Sequence, residues 1–445
     1  MPGGNWTAQN KVRPGVYINF TSNNDLGLSI GQRGAVAICE PMSWGPVGTV
    51  MTVQAGADTT PFCGYAIYTP QGRFLNEIFK GTDRTDPPTK VLLYRPAADS
   101  SAEATATTGQ LTITALYPGT RGNDITIVIV ENADDEGNFT VQTVVDGVVV
   151  DTQTGANISD LATNDWVKFS GTGALAATAG TKLEGGSDGT VQTAAYTTFL
   201  TNLEPYEFDI LIYDGTDTTT MAAMVNFVER IAANDGKYAQ LVAANLTVPD
   251  SRFAINVTTG ITLSDGTTLT PQQTCWWVGG AQAGAKYNES LTYARYPDAI
   301  DVSPKLTNDA IISALQEGKF ILFADDGAVK VEWDINSLTT YTMDISKIYH
   351  KNRVIRLCNT IANDLYHQFS DNFIGVVDNN EDGRSLFKNV IVGYLLEMQA
   401  GNGIQNFEAD DVEVLSGDDI DSIIINIAIQ AVDAAEKLYI TITVS

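Results

Sequence analysis

His350 and His367 are the chain's two histidines, so side chains suited to proton transfer near neutral pH are scarce. His367 falls in line with Thr360, Asn363 and Asp364 on the polar side of a helical pattern and reads as a solvated surface residue. Neither histidine lies within 31–97 or 184–343, where strands and helices alternate, which excludes a Ser-His-Asp or Cys-His site there. The stretch GLSIG, Gly27 to Gly31, has the letters of a serine-hydrolase elbow around Ser29. An elbow needs a strand before it and a helix after it, whereas here Asn- and Asp-rich sequence precedes and the strand pattern GAVAICE follows. DNNEDG places Asp378, Asn380, Asp382 and Gly383 as in the first half of an EF-hand loop, but the position of the bidentate acid is Asn389. A solvated turn is the expected reading. LEGGSDGT, residues 183–190, is Gly-rich without the Lys of a phosphate loop, so a hinge or a close backbone approach accounts for it better.

Asp209 and Asp214 flank the strand pattern FDILIYDG, with no base, metal set or nucleophile in the sequence around them, and read as sheet-end turn residues. Cys39, Cys63, Cys275 and Cys358 lack CxxC spacing and suit reduced core thiols rather than a zinc site or a disulfide framework. No catalytic residue, metal site or cofactor is expected. Four cations, Lys347, Lys351, Arg353 and Arg356, crowd into ten residues. They are either a solvated helix face or a basic patch that docks an acidic partner.

The remainder of the chain is acidic: 53 Asp and Glu against 26 Lys and Arg give a formal charge of -27. That charge repels phosphate backbones and anionic lipid, which argues against nucleic acid and membrane partners. MPGGNWTAQN has no basic segment followed by an apolar one, and no apolar run nears the roughly twenty residues that span a bilayer, so a soluble chain without an export signal is expected. At 445 residues the chain exceeds what one hydrophobic core organises, and several domains are expected.

The elements that would position these residues divide by periodicity. Residues 31–97 and 184–343 alternate buried apolar runs with amphipathic helices, the signature of an α/β core with a mostly parallel sheet. Within it, Thr270 and Pro271 mark a helix start. Residues 98–183 hold only Val-, Ile- and Thr-rich runs between Gly, Asn and Asp turns, so an inserted β-sandwich is expected, entered and left through the loose stretches ADSSAEATATTGQ and GTGALAATAGTKLEGGSDGT. Residues 344–445 carry two helical patterns and two strand patterns, a C-terminal α+β domain.

A strand pattern stands near each end of the chain. RPGVYINF alternates Val16, Ile18 and Phe20 with Tyr17 within an N-terminal arm, residues 1–30, and KLYITITVS alternates Leu438, Ile440, Ile442 and Val444 with Tyr439, Thr441 and Thr443. By periodicity alone, the latter would fold back on SIIINIAIQAV through VDAAEK as a hairpin.

RPGVYINF, LEGGSDGT, FDILIYDG, GKFILFADDG and AAEKLYITITV, in this order and spacing over nearly the whole chain, resemble contractile tail sheath proteins of myophages and of phage-tail-like bacteriocins from Gram-positive bacteria. The resemblance implies a subtilisin-like core without protease activity and a structural rather than enzymatic role. It implies stacked six-fold rings of this chain around a tail tube, with baseplate and terminator proteins as further partners, in a virion or bacteriocin particle assembled in the bacterial cytoplasm. Terminal arms of such proteins lend strands to neighbouring subunits, which would assign Val16, Tyr17, Ile18, Phe20, Leu438, Ile440, Ile442 and Val444 to strand exchange. The C-terminal domain of the family faces the tube, which would give Lys347, Lys351, Arg353 and Arg356 an acidic partner. A type VI secretion-like sheath component is the nearest alternative, and a hydrolase with an atypical site a more distant one.

Overall fold

The computed structural model describes residues 3–4, 16–17, 30–132, 135–247 and 250–444. The chain divides into a larger unit, Gly31–Asn363 with Ala431–Ser445, and a smaller one, Met1–Ile30 with Asp364–Gln430.

The larger unit is built on a seven-stranded sheet in the order Lys319–Phe320, Ala254–Val257, Gln240–Ala244, Ile210–Tyr213, Ala35–Cys39, Lys90–Tyr94, Val50–Gln54. Val50–Gln54 runs antiparallel at one edge, and the other neighbours are parallel. Alternate residues feed two apolar layers, because successive side chains on a strand point to opposite faces. Val36, Ile38, Ile210 and Ile212 join Phe74, Leu75, Ile78, Trp277 and Val278 on one side. Ala37, Cys39, Leu211 and Tyr213 join Phe199, Leu203, Met224, Val228 and Ile231 on the other.

Helix Pro271–Gly284 starts where the sequence places it. Its cap is reciprocal: the Gln273 amide donates to Thr270 Oγ1 (3.3 Å) and the Thr270 amide to Gln273 Oε1 (3.1 Å). Glycine lets this helix approach helix Arg73–Ile78 closely, since a Cβ on Gly280 would fall 2.0 Å from the Ile78 carbonyl oxygen.

The sandwich packs the sheet Val148–Gly155, Phe139–Val145, Ile125–Glu131, Thr178–Lys182 against the sheet Val167–Ser170, Leu111–Ala115, Thr105–Thr108. Ile113, Ile127, Val141, Trp166 and Val167 fill the space between. The flanking stretches read as loose linkers are in fact paired. Ala98–Asp99 runs antiparallel to Thr190–Val191, with further bridges Ala102 to Ser187 and Thr105 to Glu184. Their Thr- and Ala-rich composition resembles a linker locally, but each supplies the ladder partner of the other, a match between residues some ninety positions apart that composition does not reveal. Arg121, 4 % exposed, fastens the joint further: its Nε donates to the Gly64 carbonyl (2.9 Å) and its Nη2 pairs with Asp146 (2.6 Å).

In the smaller unit, aromatic residues Phe369, Phe373 and Phe387 join the end of helix Asn352–Asn372 to helix Glu381–Ala400, with ring centroids 4.5–6.3 Å apart. DNNEDG turns out to be the start of the second helix, where Asn380 accepts from the Gly383 amide at 2.8 Å. Val412–Ser416 and Ile423–Ile427 form a two-stranded antiparallel sheet. SIIINIAIQAV therefore pairs with the sequence before it, not with KLYITITVS. Gly3–Gly4 pairs in parallel with Val16–Tyr17, while Ile18, Phe20 and Ser29 lie outside the described residues.

Candidate assembly surfaces

Residues 438–444 combine strand periodicity with no ladder in this chain. No strand is formed after Gln430–Ala431 among the described residues, and Leu438, Ile440, Ile442 and Val444 are 70–89 % exposed. Tyr439, on the opposite face, is exposed as well. A segment whose apolar and polar faces are both in water has neither backbone pairing nor burial, and no Pro or charge within 438–444 blunts it against pairing with another chain. The burial changes at Glu436. Val432, Ala434 and Glu436 are partly buried, Asp433 and Ala435 are exposed, and from Lys437 on every described residue is exposed.

The sheet Val412–Ser416 with Ile423–Ile427 is incomplete in a complementary way. Among the described residues no third strand pairs with either edge, and Leu415 and Ile424 are exposed. Edges left open in this way are templates for pairing with a further strand.

Lys347, Lys351, Arg353 and Arg356 do not form a basic patch. Lys347 is exposed, but Arg353 and Arg356 are buried and Lys351 is largely covered, with its side chain 12 % exposed. Arg356 pairs with the buried Asp334 at 2.8 Å, and its Nη2 also donates to the Glu289 carbonyl at 2.6 Å. Asp334 further accepts from Gln282 Nε2 (2.7 Å), Asn352 Nδ2 (3.0 Å) and the Leu291 amide (3.0 Å). Burial alone would raise the Asp334 carboxyl, but the Arg356 charge and these donors hold it below the usual carboxylate range. Lys351 pairs with Asp433 (3.2 Å) and with Glu436. A cluster of like charges in sequence is thus dispersed, with Arg356 directed to the buried Asp334 and Lys351, just before helix Asn352–Asn372, to Asp433 and Glu436.

The residues considered for chemistry are separated in the same way. Asp209 stands at the start of Ile210–Tyr213, where it accepts from the Gly34 and Ala35 amides (2.8 and 3.0 Å) and pairs with Arg33 (3.2 Å). Asp214 stands at the other end, accepts from Trp276 Nε1 at 2.8 Å, and adjoins Glu40 at the end of the neighbouring parallel strand. Burial, then the charge of Asp214, pushes the Glu40 carboxyl well up, and burial raises that of Asp214. Glu40 escaped sequence reasoning because the strands that juxtapose it with Asp214 are 170 residues apart; only the carboxyl-end position of each on its strand pointed to it. Burial also raises all four cysteine thiols, which keeps them protonated. Among the described residues no group of three or more His, Cys, Asp and Glu is placed to hold a metal ion, and no helix is long and apolar enough to cross a membrane.

The arm and the two-stranded sheet share open strand edges among the described residues, and comparison with known proteins identifies the family. Family models match in three consecutive blocks: phage tail sheath protein beta-sandwich domain at 98–188, phage tail sheath protein central domain at 189–337, and phage tail sheath C-terminal domain at 344–445. The phage-like element PBSX protein XkdK of Bacillus subtilis is 34 % identical over the full length of both chains. The chain belongs to the phage tail sheath family. A solved sheath tail protein from Desulfitobacterium hafniense is 44 % identical to this sheath protein, covers 96 % of it and 99 % of its own chain, and superposes with a TM-score of 0.86. The helical sheath of the anti-feeding prophage in its contracted state has the same fold at 14 % identity, with a TM-score of 0.58 over 97 % of this chain and 98 % of that one.

Proposed function

We propose that this protein forms the contractile sheath around a phage or bacteriocin tail tube, as stacked hexameric rings joined by strands lent between subunits. The observation that carries this reading is the segment 438–444, strand-patterned and exposed on both faces. Placed on the edge of a neighbour's sheet, it would make roughly five backbone hydrogen bonds at a net ~0.5–1.5 kcal/mol each. Burial of Leu438, Ile440, Ile442 and Val444 would contribute about 1.5–3 kcal/mol per side chain, offset by the cost of ordering the arm. A two-stranded sheet such as Val412–Ser416 with Ile423–Ile427, in another copy of the chain, is the kind of edge that would receive it. Val16 and Tyr17, with Ile18 and Phe20, would act as the counterpart at the other end.

The α/β core, residues 31–97 and 184–343, is in this reading a subtilisin-like rigid body without protease activity. Contraction needs no active site: subunits held in a kinetically trapped extended lattice rotate into tighter contact once released at one end, while the arms keep neighbours connected. The tube and baseplate are the partners, and Lys347 is the member of the basic cluster that remains open to them. Negative-stain microscopy of the purified protein tests the reading. Striated hollow tubes are expected, and persistent monomers at high concentration would overturn it.

A further inference from the structure

The arm does not leave the molecule freely. Glu436, whose side chain is 10 % exposed, is surrounded by donors. Its Oε1 accepts from Thr292 Oγ1 at 2.7 Å and from Ser290 Oγ at 3.4 Å, and its Oε2 accepts from Trp333 Nε1 at 2.5 Å and from Lys351 Nζ. Lys351 also holds Asp433 at 3.2 Å, and the Trp333 ring lies beneath both Lys351 (4.9 Å) and Lys437 (5.3 Å). Thr292 Oγ1 in turn accepts from the Asp334 amide at 3.0 Å, which connects this cluster to the buried Asp334–Arg356 pair. Arg353 stands behind it, with the charges of Asp433 and Glu436 opposing the effect of its burial. Four donors, from Ser290, Thr292, Trp333 and Lys351, thus converge on one carboxylate immediately before the chain becomes exposed.

We propose that Glu436 is the anchor of the C-terminal arm: it fastens the arm to the α/β core, so that the free strand begins at Leu438 and a neighbour that receives it is tied to this core. The inference deepens the strand-lending reading and rests on it for its role in assembly. Its physical content is a length. With the anchor in place the free tether is 438–444; without it the whole of 432–444 is loose, the strand searches a larger volume, and its effective concentration at an acceptor falls roughly two- to threefold, as the −3/2 power of length.

Trypsin cleavage after Lys437 in the monomeric full-length protein reads the anchor directly, because a protease needs several residues on either side of the bond to be free. Cleavage should be about tenfold faster in Glu436→Ala, the factor that corresponds to about 1.4 kcal/mol. Glu436→Gln, whose single carbonyl oxygen replaces only one of the two carboxylate acceptors and which loses the ion pair, should fall between, and Lys351→Ala should also accelerate the cut. Wild-type rates in all three variants overturn the anchor. In assembly, Glu436→Ala should raise the concentration needed to form tubes about two- to threefold, in keeping with the longer tether. An unchanged threshold alongside faster cleavage would overturn the claim that the anchor sets the reach. Deleting 438–445 separates the two ideas: if that variant still forms tubes, strand lending fails, while the cleavage rates still decide whether Glu436 holds the arm.

Discussion

Ile210–Tyr213, ILIY, and Leu438–Val444, LYITITV, share Ile, Leu and Tyr and occupy opposite circumstances. The first lies at the middle of a seven-stranded sheet, paired on both sides and buried on both faces. The second forms no strand ladder among the described residues and is exposed on both faces. In the core the apolar residues stabilise the subunit. In the arm they are exposed and bury little against it, and under strand lending their burial would wait for an edge supplied by a second copy. Strand lending would make free monomers and a strong lattice compatible, because the sticky element would be a single short strand per subunit that the lattice repeats.

The sharpest way to break the comparison is Ile440→Pro, which removes a ladder donor from the arm. Tube formation should be abolished while the melting temperature of the monomer stays at the wild-type value; a lowered melting temperature would mean that the arm serves its own subunit after all. Next in size is Arg356→Ala, which leaves the Asp334 carboxylate uncompensated in the core and should cost about 3–5 kcal/mol in urea unfolding at pH 7. The fold holds Asp334 below its unfolded pKa of about 3.9, so the stability from this pair is complete above that value and is lost as pH falls through the lower folded value. Arg356→Ala should therefore also flatten the acid limb of the stability profile.

The same truncation made in both strands gives the direct contrast. Ile212→Ala should destabilise the monomer by about 2–5 kcal/mol, whereas Ile442→Ala should change its unfolding free energy by less than about 0.5 kcal/mol and act on tube formation alone. The smallest expected effect on folding is that of Lys347→Glu, again within about 0.5 kcal/mol for an exposed side chain. Its reading is retention of the sheath on the tube. If retention is unchanged, the basic cluster has no role at the tube, since its other three members are already engaged with Asp334, Asp433 and Glu436 or buried.

Much of this architecture was legible from local pattern. The helices at 218–234, 271–284, 352–372 and 381–400, the buried parallel strands and the all-β block follow from periodicity, caps and turn residues, which act over a few positions. The alternation in KLYITITVS marked a strand, and the sequence left open whether it closed on its own chain. Tertiary structure decided what depends on residues distant in sequence. It assigned Ile423–Ile427 to Val412–Ser416 and so left the arm without a strand partner among the described residues. It paired the two linker-like stretches as a stem, brought Glu40 to Asp214, and turned a run of four cations into one exposed lysine, two buried arginines and the lysine that grips Glu436. The physical reason is common to all of these. Periodicity states that a face must be covered and charge that a partner must be found, but which surface covers it and which acid answers it is set by the packing of elements that the chain brings together only when folded.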